Sequence, residues 1–154
     1  MGRVLAVDFG ERRVGVAVSD PTGTIATPLT VITRRPGKRP PVQAIADLAA
    51  EHDVEHIVIG LPLTLEGEDS QWTMQVREFG ARLTQRTGRG VSFADERLTS
   101  VMAERAVRSL GLKKQQREQK SRIDAAAAVI ILQAFLDTMN KQTGQSPLEE
   151  GGAS

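Results

Sequence analysis

Two apolar runs separated by only four residues constrain this chain more than any other feature. Residues 3–9, Arg-Val-Leu-Ala-Val-Asp-Phe, and residues 14–19, Val-Gly-Val-Ala-Val-Ser, flank a turn at Gly10 to Arg13. A link that short joins two strands only as an antiparallel pair. Asp20-Pro-Thr-Gly23 turns the chain again. Thr24 to about Thr33, rich in Thr, Ile and Val, predicts a third strand, and Pro28 within it favours an edge position.

After the third strand the periodicity changes. Val42 to about Glu51 has helical spacing at Ile45, Leu48 and Ala49. His56-Ile-Val-Ile-Gly60 reads as a strand parallel to the first, reached by a helical crossover. Gly60-Leu-Pro62 is expected to end it with a sharp turn. Ser70 is placed to cap a helix reaching Thr87, with Met74, Phe79 and Leu83 facing inward, and Gly88-Arg-Gly90 ends that helix. Val91 to Glu96 is a fifth strand. Thr99 opens a helix ending near Gly111, Lys113 to Lys120 reads as a mobile basic loop, and Ile123 to about Met139 is an apolar helix. Three strands followed by crossover units predict an α/β fold. Its mixed five-stranded sheet has the order 3-2-1-4-5, flanked by helices, with the first strand in the middle. Residues 1–139 are expected to form a single domain and 140–154 a disordered tail.

Composition narrows the chemistry. The 154 residues suffice for a core without staples. There is no cysteine, which excludes disulfides, zinc fingers, iron–sulfur clusters and thiol catalysis. No apolar run approaches the roughly 20 residues of a bilayer span, and the N-terminus enters a strand directly. A cytoplasmic chain without signal peptide or membrane contact is expected. The net charge is +1, yet residues 34–39 and 105–122 together hold 11 of the 20 basic side chains. Lys113 and Lys114 lie in the second stretch. Such clusters attract phosphate locally, although a solvated loop has the same composition. The five aromatic residues, Phe9, Trp72, Phe79, Phe93 and Phe135, are too few for a base-stacking platform. A nucleic-acid partner would be gripped by backbone and shape.

Three acidic positions fall at element ends. Asp8 is near the end of the first strand, Asp95 and Glu96 end the fifth, and Asp124 opens the last helix. Parallel strands bring the first two groups to one sheet edge, and a helix packed on the sheet can add Asp124. Converging carboxylates repel unless a cation intervenes. An all-oxygen donor set favours Mg2+ or Mn2+ over zinc or copper. Two such ions about 4 Å apart can activate water and stabilise the leaving oxygen of a phosphodiester. Each acid also has a structural reading. Asp8 is a turn residue beside Gly10, Asp95 and Glu96 can pair with Arg97, and Ser121-Arg-Ile-Asp124 fits a capping box. Asp95 and Glu96 point to opposite faces of a regular strand, so only one is expected to be a direct ligand. His52 and His56 lie at the other end of the fourth strand and read as structural.

The run from Asp8 to Asp20, Asp-Phe-Gly-Glu-Arg-Arg-Val-Gly-Val-Ala-Val-Ser-Asp, resembles the opening signature of the YqgF/RuvX family. These are Holliday-junction-resolvase-like proteins also described as pre-16S rRNA nucleases. Gly60-Leu-Pro62, Asp95-Glu-Arg97 with Thr99 and Ser100, and Lys120-Ser-Arg-Ile-Asp124 with Ala127 and Ala128 resemble its later motifs in order. The likeness runs from about Arg3 to Met139. It implies a ribonuclease H-like fold and a metal-dependent nuclease using Mg2+ or Mn2+. It maps the metal ligands onto Asp8, Glu96 and Asp124, with Asp95 as the alternative within its pair. Arg12, Arg13, Arg97 and Lys120 match basic positions that hold phosphate. The implied substrate is structured RNA in ribosome biogenesis. Branched DNA is the alternative, for which symmetric cutting would call for a homodimer. An Asp-x-Gly hairpin also occurs in actin-like ATPases and sugar kinases, but those need two such halves and this chain has one. A non-catalytic RNA-binding assembly factor is the remaining alternative.

Overall fold

A computed structural model describes residues 2–35, 37–98 and 117–142, as backbone only from 117 to 124 and at 142. Its strands are β1 (Arg3–Phe9), β2 (Arg13–Ser19), β3 (Ala26–Thr33), β4 (Val54–Leu61) and β5 (Gly90–Asp95). The helices among the described residues are α1 (Val42–Glu51), α2 (Gln71–Thr87) and α3 (Arg117–Gln142), with a 3-10 turn at Glu96–Leu98. The sheet order is β3-β2-β1-β4-β5, as expected. β1 pairs antiparallel with β2 and parallel with β4, and β5 is parallel to β4. Pro28 sits in edge strand β3 opposite Ala17, where the register shifts.

Strand alternation divides the core in two. Leu5, Val7, Phe9, Ile57 and Ile59 face α1 and α2, where they meet Ile45, Val76, Phe79 and Leu83. Val4, Ala6, Ala17 and Val58 face α3, where they meet Ala127, Ala128, Ile131, Leu132 and Leu136. The two alanines let the helix come close to the sheet. Ile131, Leu132 and Leu136 are fully buried, each contributing about 1.5–3 kcal/mol by leaving water.

Helix α2 starts and stops where its sequence dictates. The Thr73 N–H donates to Ser70 Oγ and the Ser70 N–H to Thr73 Oγ1, a reciprocal capping box. Gly88, at φ +68°, ends the helix by donating to the Thr84 carbonyl.

Three expectations need correction. Met74 is exposed; the inward stripe of α2 runs through Thr73, Val76, Phe79, Gly80 and Leu83, and Met74 lies off it. Gly60 lies within β4, opposite Ala94, and does not form a turn. Helix α3 begins at Arg117, not Ile123, because Arg117, Glu118, Gln119 and Lys120 are good helix formers even without an apolar pattern. Ser121 is therefore inside the helix and is not its cap. The helix expected from Thr99 to Gly111, Lys113, Lys114 and residues 143–154 lie outside the described residues. Among the described residues no helix is long and apolar enough to cross a membrane.

Candidate active site

The C-terminal ends of β1, β4 and β5 share one sheet edge with the β1–β2 turn. Asp8 belongs to the Val4–Ala6 parity of β1, so its side chain lies on the α3 face, and it is 3% exposed. Its strand partners are both glycine: Gly15 on β2 is paired with it, and Gly60 on β4 follows from the adjacent Val7–Ile59 pair. Glycines inside strands weaken the sheet and commonly mark a close approach. Here the approaching group is Glu96. A Cβ added to Gly60 would meet Glu96 Oε1 at 2.6 Å and Ile131 Cδ1 at 2.5 Å. The fully buried Glu96 carboxyl thus occupies the space that Gly60 leaves open, about one strand spacing, or ~5 Å, from the Asp8 backbone.

Position 124 lies at the same sheet edge, beyond the level of Asp8 and Gly60. Ile131 lies at Gly60, while the Phe135 ring stacks on His56, one helical turn on and four strand residues back. Further along, Gln133 holds the Ala26 N–H and the Thr24 carbonyl at the start of β3. Helix α3 therefore runs away from the Asp8 edge. Residue 124 lies about 10 Å before Ile131 along the axis, at the Asp8 end and one turn before Ala128 on the sheet-facing stripe. The Asp124 side chain is outside the described residues, and so are those of Lys113, Lys114 and Lys120. Among the described side chains no three metal-binding groups gather.

The Asp95–Glu96 pair divides between the two faces. Asp95 is level with Leu61 on the α2 side, where Arg97 donates to it from Nη2 at 2.6 Å and from Nε at 3.0 Å. These bonds hold the Asp95 carboxyl below its ordinary value, against the opposing effect of burial, and raise Arg97. Arg97 Nη1 also donates to the Leu65 carbonyl at 3.2 Å. Arg97 thus ties the loop after β4 to the end of β5. Arg12 is exposed in the β1–β2 turn, and Arg13 begins β2 beside it. His56, bonded to Ser92 Oγ through Nε2, stands at the far end as a structural residue.

Three contributors were not anticipated as site residues. Gly15 and Gly60 flank Asp8, and their signal was a glycine inside each apolar strand. Arg34 leaves β3, donates from Nη1 to the Gly10 carbonyl at 2.8 Å and lies 4.5 Å over the Phe9 ring. It braces the turn that follows Asp8.

A family model described as RuvX, Holliday junction resolvase, matches residues 2–138. A Chloroflexus aurantiacus protein named "Putative pre-16S rRNA nuclease" is 44% identical over 143 residues, 93% of this chain and 92% of that one. A Chloroflexus aggregans protein of the same name is 46% identical over 134 residues, 87% and 92% of the two chains. Among solved structures, T. thermophilus RuvC in complex with a Holliday junction substrate matches with a TM-score of 0.56 and 14% identity. The match covers 94% of this chain and 98% of that one. Likeness at that identity speaks for the fold alone, which is ribonuclease H-like. The sequence likeness reaches further: with its model matched along almost the whole described sheet and its helices, the chain belongs to the RuvX family.

Proposed function

We propose that this chain is a divalent-metal-dependent nuclease that hydrolyses phosphodiester bonds in structured RNA, with pre-16S rRNA maturation in the cytoplasm as its task. The carrying observation is the burial of Asp8 and Glu96 on one face at one strand end, on either side of Gly60. Two carboxylates buried so close together are costly unless positive charge or donors meet them. The close approach that Gly60 allows the Glu96 carboxyl and the all-oxygen donor set fit a hard cation. Asp8, Glu96 and Asp124 would hold it, and Mg2+ or Mn2+ suits them. When bound, such an ion supplies Lewis-acid stabilisation of phosphoryl charge and a more readily deprotonated water.

The chain supplies the rest. Hydrolysis forms a bond from water oxygen to phosphorus and breaks the bond to the leaving oxygen, which takes a proton. The α3 face keeps bulk water from the buried carboxylates. Arg12 and Arg13 at the turn attract the phosphates on either side of the scissile bond. Arg97, held by Asp95, fixes the loop that walls the site. Lys120 is assigned to a phosphate contact by family resemblance, and Lys113 and Lys114 by their place in the basic 105–122 stretch. The family model's description favours a second reading, cleavage of branched DNA, for which symmetric cutting would call for a homodimer.

The test is cleavage of a labelled rRNA precursor and a four-way DNA junction side by side, with Mg2+, Mn2+ or EDTA. Asp8→Asn, Glu96→Gln and Asp124→Asn are expected to fold and to lose at least about a hundredfold in rate. Asp95→Asn is expected to retain more activity than Glu96→Gln. Wild-type cutting by a folded Asp8→Asn protein overturns the mechanism, and cutting of the junction alone moves the substrate to DNA.

A further inference from the structure

Apart from Arg34, which braces the turn after Asp8, the basic loop after β3 has no part in the site described so far, yet it does not hang free in solvent. It forms one bank of a groove whose other bank is α2. Three recesses of about 300, 380 and 400 Å³ run along it. The first and second share Arg34, Gly37 and Gln75, and the second and third share Pro40 and Arg82. Arg12, Arg34, Lys38, Arg39, Arg82 and Arg86 line the groove, against the acids Glu11 and Glu78. Glu78 is paired with Arg82 at 2.9 Å. The α2 bank runs from Trp72 to Arg86, about 21 Å of helix, the axial length of roughly six nucleotide steps of a stacked strand.

The groove starts at the active edge. Arg12 and Trp72 line its mouth, and Phe9, whose ring stacks on Trp72 at 5.3 Å, is the residue after Asp8 on the opposite face. A strand leaving the carboxylate site needs only to cross the β1–β2 turn to enter it. The few aromatic residues and the row of guanidinium and ammonium groups suit a phosphate backbone and not a base-reading surface.

We propose that the groove between the 34–41 loop and α2 holds the phosphodiester backbone of the RNA strand flanking the cut. The choice of RNA as occupant rests on the nuclease reading; the polyanion chemistry does not. Trp72 is the chain's single tryptophan, so its fluorescence reports occupancy of the mouth.

The experiment titrates Asp8→Asn protein, in EDTA, with a mixed-sequence single-stranded RNA over a range of salt, following Trp72. RNA is expected to change the fluorescence saturably. In the same background, the triple variant Lys38→Gln, Arg39→Gln, Arg82→Gln is expected to lower the slope of log affinity against log salt by about 2. That corresponds to about a hundredfold weaker binding at ~0.1 M salt, from three lost single-strand contacts. Lys38 and Arg39 are exposed and Arg82 is half exposed, so the triple variant should fold, as circular dichroism would verify. Arg77→Gln, on the other flank of α2 against Asp69 and Phe93, should keep the parent slope. An unchanged slope in the triple variant, or an equal loss in Arg77→Gln, overturns the groove. Binding of DNA but not RNA overturns the occupant. Failure of the wild type to cut RNA would defeat the nuclease reading while leaving this titration to decide the groove.

Discussion

Replacing Gly60 with alanine should separate the fit of the site from the stability of the fold. The new Cβ would lie 2.6 Å from Glu96 Oε1 and 2.5 Å from Ile131 Cδ1. Each must retreat by about 0.8–0.9 Å to reach 3.4 Å, the near limit of ordinary contact. Both neighbours are fully buried, so neither can swing into solvent. Overpacking of this kind costs about 1–3 kcal/mol, which lowers the melting temperature of a chain this long by roughly 3–9 °C. A displacement near 1 Å at a reacting centre costs about a hundredfold in rate. The two effects come from different atoms and can be uncoupled. Ile131→Val removes the clashing Cδ1 and alone costs about 0.5–1.5 kcal/mol. Gly60→Ala with Ile131→Val should therefore be less destabilised than the sum of the single variants, a positive coupling in urea denaturation. Its single-turnover cleavage rate should stay low, because Glu96 is still displaced. A folded Gly60→Ala protein that cuts at the wild-type rate refutes this reasoning. Full recovery of activity in the double variant would transfer the effect from Glu96 to Ile131.

Two further outcomes follow from the flanks of the site. Burial holds the His56 imidazole below its ordinary value of 6.5, so the unfolded chain takes up that proton first as pH falls. Stability should be steady above about pH 6.5 and decline below it, and His56→Phe should flatten that decline in thermal melts at about pH 7.5 and 5.5; an equal decline in both proteins refutes the assignment. Arg97→Gln frees the Leu65 carbonyl and Asp95. Hydrogen exchange should quicken at Gly67 and Glu68 while global stability falls by no more than about 1 kcal/mol, and unchanged exchange would show that the loop holds itself.

The sheet order and the division of Asp95 and Glu96 between two faces were legible because they depend on short-range patterns. A four-residue link forces the β1–β2 pairing, Pro28 marks the edge, and alternation along Asp95-Glu96 sends one carboxylate to each face. What stayed hidden depends on contacts across the fold. Gly60 reads as a turn residue until Glu96, 36 positions later, is seen to fill its empty side. Arg97 reads as a candidate phosphate ligand, and its further bond to the Leu65 carbonyl, which holds the loop after β4, has no local signal in the sequence. Arg34 reads as one charge in a loop until its guanidinium is found over Phe9. Met74 was misassigned because an apolar residue off a helical stripe looks like one on it when boundaries are uncertain. The start of α3 was missed because Arg117 to Lys120 satisfy the helix by propensity and not by pattern.

The placement of β1 at the centre of the sheet also sets a chronology. Asp8 precedes its neighbour Glu96 by 88 residues, and the helix packed on that face comes later still. Until α3 docks, Val4, Ala6, Ala17 and Val58 have no cover, and the carboxylates stand in open water where their mutual repulsion is weak. A chain still being synthesised, or one cut short before Arg117, thus carries the first acid of the proposed site without the enclosure that the mechanism requires. On the proposed mechanism, cutting is expected only once α3 has been made and has docked over these carboxylates.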